Sequence, residues 1–174
     1  MTVPVGGLRA RLIKESFYHM LDAALEDLGW YETDSWFLPV ELRSTAISDQ
    51  EEITPNVVAI ADDDDSDSEL EMGSNLTEFR TAYYVDVYGE NNAVGLHIAK
   101  DIRDLLQGRM PSIGRSRPNL SILNYSAATP TELFTVDLEQ VTLNRAHDFP
   151  KEWQKYWYSV YLEIVDSYGD ENDD

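Results

Sequence analysis

The chain of 174 residues contains no cysteine, so it can form neither disulfide bonds nor zinc sites with thiolate ligands. It also lacks long apolar runs, and no stretch approaches the ~20 apolar residues that a membrane helix needs. The first residues, MTVPVGGLRARL, have no apolar core of a signal peptide. From these absences we expect no membrane partner, and a protein that stays in the cytoplasm until it is assembled.

Basic residues are few. The chain has 13 Lys and Arg against 33 Asp and Glu, and its formal net charge is -20. Such a charge repels nucleic acid and anionic membranes. We therefore do not expect a function in which the protein binds phosphate groups. The length and the 43% hydrophobic composition are sufficient for one core. We therefore expect a single domain over residues 1–174.

Catalytic signatures are missing as well. The three histidines, His19, His97 and His147, stand in no motif, and no GxSxG, HExxH, GxGxxG or Walker sequence occurs. With 33 acidic residues, any chosen carboxylate pair carries no information about glycoside chemistry. We predict that the protein is not an enzyme and binds no cofactor.

The stretch Thr77 to Gly108 is the most informative part of the sequence. Alternation of Phe79, Thr81, Tyr83, Val85 and Val87 with polar or smaller residues predicts a strand that ends at Gly89. A helix should follow, with Asn91 or Asn92 as its N-cap and Gly108 as a left-handed C-cap. Its apolar stripe consists of Val94, Ile98, Ile102 and Leu105.

Other segments complete the predicted fold. Apolar positions from Ile13 to Leu28 fit one face of a first helix that Gly29 ends. Strands are predicted at 35–43, where Pro39 marks an edge or a bulge, and at 57–61, 120–125, 134–144 with one bulge, and 153–167. The last strand has aromatic residues on both faces, so we expect either that it is central or that one of its faces meets a partner. The fold class is α+β, with a mixed, mainly antiparallel sheet of about five or six strands and two main helices packed on one face.

An acidic segment at 62–71, DDDDSDSELE, has almost nothing apolar to bury and is predicted to be a mobile loop. Asp62 and Asp64 begin a calcium-loop pattern, but Asp67 stands where the glycine belongs and Gly73 where the terminal acid belongs. We therefore predict no metal site. We expect Asp62, Asp63, Asp64 and Asp65 to lie in a loop that is solvated or faces a partner. Residues 169–174 are predicted to form an acidic tail.

A local basic segment, RMPSIGRSRP at 109–118, stands out against the acidic background. Arg109, Arg115 and Arg117 lie in a stretch that two prolines and a glycine make irregular. Two interpretations have equal weight: contact with an acidic neighbour, or a loop held by salt bridges within the chain.

Aromatic residues on the sheet face opposite the helices point to assembly. Tyr84, Tyr88, Trp157 and Tyr161 are predicted there, and they must be covered by loops or by a partner, because contiguous exposed apolar patches are uncommon on soluble monomers. Trp157 and Tyr161 are therefore candidate partner contacts.

The sequences DVYGEN, GLHIAKDIRDLLQGRMPSIGR and WQKYWYSVYLEIVDSY resemble tail terminator (tail completion) proteins of long-tailed phages with siphovirus morphology, particularly phages of actinobacterial hosts. The resemblance covers most of the chain. It implies a structural virion protein of the neck, a ring of six copies on the head-proximal end of the tail tube that stops tube polymerisation and joins the head. The implied partners are the protein itself, the tail-tube protein and a head-closure or connector protein.

In such a ring, DNA would pass through the bore without sequence-specific binding. Acidic groups that line the bore would repel phosphate, and the acidic segment is a candidate for that lining, although it could equally face outward. Ring closure needs a heterologous contact, which the three arginines are expected to make with acidic groups. Alternatives are another head-tail connector component (head-closure or adaptor protein), a tail-tube subunit and, more remotely, an acidic binding module or nucleic-acid mimic.

Overall fold

The computed structural model describes residues 7–30, 37–38, 57–62, 66–69, 76–89, 91–126, 129–145 and 156–169. The described elements are two helices, α1 (Gly7–Asp27) and α2 (Asn92–Leu106), a short 3-10 helix at Pro111–Ile113 that follows α2, and strands that form one sheet. The strands are β1 (Phe37–Leu38), β2 (Val57–Asp62), β3 (Ser66–Glu69), β4 (Leu76–Gly89), β5 (Asn119–Asn124), β6 (Thr131–Arg145) and β7 (Tyr156–Gly169).

The sheet has the order β1-β2-β4-β7-β6-β5, and β3 pairs with β4 outside this path. Only the β1–β2 pair is parallel among the strand pairs of the described residues. The predicted α+β class and the mainly antiparallel sheet are confirmed, and β7 is central, as its aromatic residues indicated. The five longer antiparallel strands are β2, β4, β7, β6 and β5, while β1 and β3 are short additions at one side.

The core lies between the helices and one face of the sheet. Val85 of β4 and Val160 of β7 stand opposite each other and are fully buried. From α1, Phe17 packs against Tyr83 with ring centroids 5.2 Å apart, and α2 contributes Ile102, which is also fully buried. Both predicted apolar helix stripes therefore cover the same sheet face.

The end of α1 and the start of α2 have the caps that the sequence predicts. Gly29 has a φ of 77°, and the amide of Trp30 donates to the carbonyl of Leu25 at 3.0 Å, the hydrogen bond that closes a Schellman motif after α1. At the start of α2, the side chain of Asn91 accepts a hydrogen bond from the amide of Val94 at 3.0 Å. The predicted N-cap is thus Asn91.

The predicted bulge of β6 lies at Gln140. The β6–β7 register shifts between Glu139 and Thr142, and Gln140 has a φ of 50°. One extra residue on β6 at this point lets Val141 and Leu143 pack against the core, although their parity is opposite to that of Leu138.

The acidic segment differs from its prediction. Asp62 is the last residue of β2, and Ser66–Glu69 form β3, so the prediction of a loop is wrong at these positions. The physical reason is that β4 extends beyond β2 and offers free backbone groups to residues whose charges would otherwise favour solvent. Residues 63–65, 70–71 and 170–174, and most of the strand predicted at 35–43, lie outside the described residues.

A buried ion pair joins the start of α1 to the end of β7. The guanidinium of Arg9 donates through Nε and, at 2.7 Å, through a terminal nitrogen to the carboxylate of Asp166, and both side chains are almost fully buried. The same guanidinium lies 3.6 Å from the ring centre of Phe134 on β6. Three elements are thus fixed together where the chain folds back on its sheet.

We expect a large loss of stability when one partner of this ion pair is removed, because the other partner remains as a buried charge without its counter-ion. Arg9→Met or Asp166→Asn should lower the free energy of unfolding by about 3–5 kcal/mol, and Arg9→Met with Asp166→Leu by less than the sum. The free energy of unfolding of each variant is measured by urea unfolding. The control is Arg11→Met, at an exposed arginine of the same helix, with an expected change within about 0.5 kcal/mol. Equal effects of Arg9→Met and Arg11→Met would contradict the expectation.

Candidate functional site

The candidate site is the arginine loop, Arg109–Pro118, which connects α2 to β5. It begins where α2 ends in a Schellman motif: the amide of Gly108 donates to Leu105 at 3.0 Å, and the amide of Arg109 donates to Asp104 at 2.8 Å. Gly108 has a φ of 65°, which confirms the predicted left-handed cap. The loop therefore leaves the helix in a fixed direction.

The loop closes on itself. Met110 and Arg115 exchange two backbone hydrogen bonds, of 2.9 and 3.0 Å, around the short 3-10 helix. At the base, the backbone of Arg117 lies so close to Gly108 that a Cβ there would stand 2.5 Å from its Cα and 2.6 Å from its nitrogen. Because Arg109 directly follows Gly108, Arg109 and Arg117 are close together in space, and both carry a positive charge.

Arg109 and Arg117 are both exposed. Within the described parts of the chain, neither forms an ion pair with a carboxylate. The nearest acidic residue of α2, Asp104, is instead bound by Arg103 at 2.7 Å. The interpretation that salt bridges within the chain hold the loop therefore finds no support in the described residues.

Arg115 differs from the other two arginines. It is half-buried, and its guanidinium donates to the carbonyl of Asn119, the first residue of β5, at 2.7 Å. Burial lowers the pKa of the Arg115 guanidinium from its ordinary value, and its Nε has no hydrogen-bond partner among the described residues. Arg115 thus stabilises the loop, and only Arg109 and Arg117 present their charge to a neighbour.

Arg80 on β4 shows what an arginine does elsewhere in this acidic chain. Its guanidinium bonds to Glu78 and reaches Glu163 at 3.2 Å and Glu139 at 3.5 Å. The hydrogen bond with Glu78 is the main cause that raises the pKa of Arg80, and the charge of Glu78, the hydrogen bond with Glu163 and the charge of Glu139 raise it further. The sheet face opposite the helices therefore carries an excess of negative charge around a single arginine, whereas the arginine loop has no such compensation.

The loop lies beside an edge strand, β5, two of whose outer backbone groups already form hydrogen bonds with side chains. β5 pairs only with β6 in the described sheet. On its free side, the carbonyl of Asn119 accepts from Arg115, and the amide of Leu123 donates to the hydroxyl of Ser16 on α1 at 3.0 Å. These two side chains hinder another strand from pairing with β5, so a partner must contact this edge through side chains.

Trp157 and Tyr161 lie on the predicted sheet face, away from the loop. Tyr161 packs against Tyr84 and Trp157 stacks on Tyr88, with ring centroids 5.2 and 5.8 Å apart. Tyr88 is only 1% exposed, so the chain itself covers that end of the face. Val165 of β7 lies level with the start of β5. Trp157 is eight positions from Val165, so it lies about 26 Å from that level along the strand direction.

The one acidic candidate that the structure describes, Asp62, is also remote from the loop. Asp62 lies in β2, on the opposite side of the sheet from β5, and Asp63, Asp64 and Asp65 lie outside the described residues. Among the described residues, the structure therefore brings together the three arginines of the loop, of which Arg109 and Arg117 are exposed.

The described histidines take part in surface contacts. His19 stacks on Tyr125 with centroids 4.2 Å apart, and His97 packs edge-on against Trp30 with its Nε2 3.8 Å from Asp101. No group of three or more described His, Asp or Glu side chains is arranged to hold a metal ion. Of the helices in the described ranges, none has the length and apolar character to cross a membrane.

We expect Gly108 to be more sensitive to substitution than Gly114. Both have positive φ, but a Cβ at Gly114 would meet nothing within 4 Å. Gly114→Ala should lower the free energy of unfolding by the left-handed strain alone, about 1–2 kcal/mol, and Gly108→Ala by clearly more, because the backbone of Arg117 must move. Urea unfolding of the two variants measures the difference, and equal losses would contradict the close approach.

Substitution should also separate the three arginines. Arg115→Met removes a charged hydrogen bond from a half-buried site and should lower the free energy of unfolding by about 1.5–3 kcal/mol. Arg109→Met and Arg117→Met should change it by no more than about 0.5 kcal/mol. Thermal or urea unfolding distinguishes these outcomes, and a large loss with Arg109→Met or Arg117→Met would show that these side chains are structural.

The chain matches no known protein family and no curated protein. The function must therefore be inferred from the fold, the charge and the arginine loop. Of these, the loop is the feature with the most specific chemistry.

Proposed function

We propose that the protein is a tail terminator of a siphovirus-type phage, a structural subunit that forms a ring on the head-proximal end of the tail tube. In this function it stops polymerisation of the tube and provides the surface to which the head is joined. The sequences that resemble terminators cover the end of β4, all of α2 except its first three residues, the arginine loop as far as Arg115, and nearly all of β7. The resemblance thus includes Arg109 and Arg115 of the arginine loop.

One observation carries the proposal: Arg109 and Arg117 stand together, exposed and without a described carboxylate partner, on a chain with a net charge of -20. Elsewhere in the described chain, Arg9, Arg80 and Arg103 bind carboxylates, whereas Arg11 and Arg145 are exposed without such a partner but lie on different elements and form no pair. An uncompensated pair of guanidinium groups is suited to bind carboxylates of an acidic neighbour, because each planar fork can bind two oxygens. In a terminator ring, that neighbour is another copy or a neck protein.

The overall charge is compatible with a conduit for DNA. A duplex that passes a ring of acidic subunits is repelled by the wall and does not bind to it. The proposal includes no chemical reaction and no cofactor. The protein would act in the virion, at the head-tail interface, after assembly in the host cytoplasm.

A nucleic-acid mimic is the second candidate, because the net charge of -20 favours it. Such a protein would occupy the basic groove of a nucleic-acid-binding enzyme. It would have no need for exposed, unpaired arginines, which favours the terminator.

Electron microscopy of the purified protein, alone and mixed with the tail-tube subunit of the same phage, tests the proposal. The protein should bind to one end of the tubes as a ring and should shorten tubes that grow in its presence. Bovine serum albumin at the same concentration, also an acidic protein, is the control for a non-specific effect of charge.

Two results would reject the terminator function. Long tubes formed by the protein alone would identify a tube subunit. Absence from tube ends, combined with tight binding to a basic nucleic-acid-binding protein, would identify the mimic.

A further inference from the structure

Both ends of the arginine loop are attached to β6, on either side of its bulge. The carbonyl of Pro118, at the end of the loop, accepts a hydrogen bond from the amide of Leu138 at 2.8 Å. Gln107, the C-cap residue of α2, donates from its side-chain amide to the carbonyl of Val141 at 3.0 Å. Gln140 stands between these two positions of β6. The bulge therefore determines how far apart the two attachment points lie.

The two exposed arginines lie directly beside these attachment points. Arg109 is two residues after Gln107, and Arg117 immediately precedes Pro118. The backbone of Arg117 also packs against Gly108, where a Cβ would stand only 2.5 Å from the Cα of Arg117. A change in the spacing of the attachment points would therefore move one guanidinium relative to the other.

The bulge has a backbone conformation that its residue type disfavours. Gln140 has a φ of 50°, in the left-handed region, where a residue with a Cβ is strained. Its side chain donates to the carboxylate of Glu163 on β7 at 3.0 Å, and the same carboxylate accepts from Tyr161 at 2.7 Å and from Arg80 at 3.2 Å. Glycine would adopt this conformation of a bulge without such support. A strained residue that its surroundings hold in place is typical of a position under a functional constraint.

We propose that the bulge of β6 positions the arginine pair, Arg109 and Arg117, for its contact with a partner. Gln107 and Gln140 are then positioning residues: Gln140 acts through its backbone conformation, and Gln107 attaches the end of α2 to the carbonyl that follows the bulge. This inference rests on the proposed function only in taking the two arginines as the partner contact. Without the bulge, β6 would be shorter by one residue between the attachment points, about 3.4 Å, and the two hydrogen bonds would not fit the loop together.

The absence of cysteine allows the position of the loop to be measured directly, because spin labels attach only to cysteines that are introduced. Ser112→Cys at the tip of the loop and Ala23→Cys on α1, both at exposed positions, provide the two label sites. Double electron-electron resonance then gives the distribution of distances between the labels. The otherwise natural chain should give one narrow distribution.

Two substitutions of Gln140 form a matched pair, since both remove the hydrogen bond with Glu163 and differ in the backbone conformation that they prefer. Gln140→Gly should leave the distance distribution unchanged, because glycine adopts positive φ without strain. Gln140→Val should shift or broaden it by about 3 Å, the rise of one strand residue, because a β-branched residue disfavours positive φ and the bulge is lost. Gln107→Met should have an effect of the same size, because the loop loses its attachment to Val141.

A control separates positioning from a general loss of stability. Val58→Ala removes buried side-chain atoms from β2, on the opposite side of the β4–β7 ladder from the loop. It should lower the midpoint of urea unfolding at least as much as Gln107→Met, but it should leave the distance distribution unchanged. Far-UV circular dichroism verifies that each variant is folded, and Gln107→Met decides the matter if Gln140→Val does not fold.

Three results would overturn the inference: a broad distribution in the natural chain, no shift with Gln107→Met or with folded Gln140→Val, or equal shifts with Gln140→Gly and Gln140→Val. A shift with Val58→Ala would overturn it as well, because the loop would then respond to any loss of stability.

The consequence for the partner contact is measured on tube ends by electron microscopy, with unlabelled variants. Gln107→Met should occupy several-fold fewer tube ends than the natural chain at the same concentration, and Gln140→Gly should occupy as many. Equal occupancy by Gln107→Met despite a shifted loop would show that the contact does not depend on the position of the arginines. The distance measurement contains no tail tube, so it decides the positioning independently of whether the natural chain binds tube ends, the result that decides the proposed function.

Discussion

The long ladder between β4 and β7 is the constraint on which the rest of the structure depends. All fourteen residues of β4 pair with β7, from Leu76 opposite Gly169 to Gly89 opposite Tyr156. Because side chains alternate between the two faces, this register places Val85 and Val160 under the helices and Arg80, Tyr84 and Tyr161 on the other face. A slip by one residue would exchange the two sets and expose the core. Among the described strands, β2, β3 and β6 pair with this ladder directly, and the edge strands β1 and β5 reach it through one neighbour each.

The sequence was sufficient where local signals and the tertiary structure agree. The strand and helix predicted within residues 77–108 match β4 and α2 closely, because alternation, an Asn cap and a Gly cap act over a few residues. The central position of β7 and the bulge of β6 also follow from local side-chain patterns. In each case, the same residues determine the backbone conformation and the burial.

Other features depend on residues that are distant in sequence. Arg9 and Asp166 are 157 positions apart, and no local pattern marks a buried ion pair among so many charged residues. β3 was predicted as loop because four of its immediate neighbours are Asp or Glu, but the free edge of β4 supplies backbone hydrogen bonds that outweigh this local preference. The arginine loop was located from the sequence, whereas the difference between Arg115 and its two neighbours depends on burial and on the position of Asn119.

The comparison of the arginines shows how one residue type serves different functions in an acidic protein. Arg9 has a desolvated guanidinium that is fixed by a carboxylate and an aromatic ring, so it holds elements together. Arg80 offsets part of the charge of three glutamates on an open sheet face. Arg109 and Arg117 have neither role. No carboxylate of the described residues pairs with them, so their positive charge is offset only by the overall negative charge of the chain.

This distribution of charge has a consequence for assembly. Copies that each carry a net charge of -20 repel one another at a distance, and they can approach only where a local attraction exceeds this repulsion. Arg109 and Arg117 are a local source of attraction for carboxylates, whereas contact between two acidic surfaces adds to the repulsion. Under the proposed function, the acidic background would suppress contacts between acidic surfaces, and the arginine pair would select an acidic partner surface. Because Arg115 and Ser16 obstruct strand pairing at β5, this selection would operate through side chains, whose identity can discriminate between partners in a way that a bare backbone edge cannot.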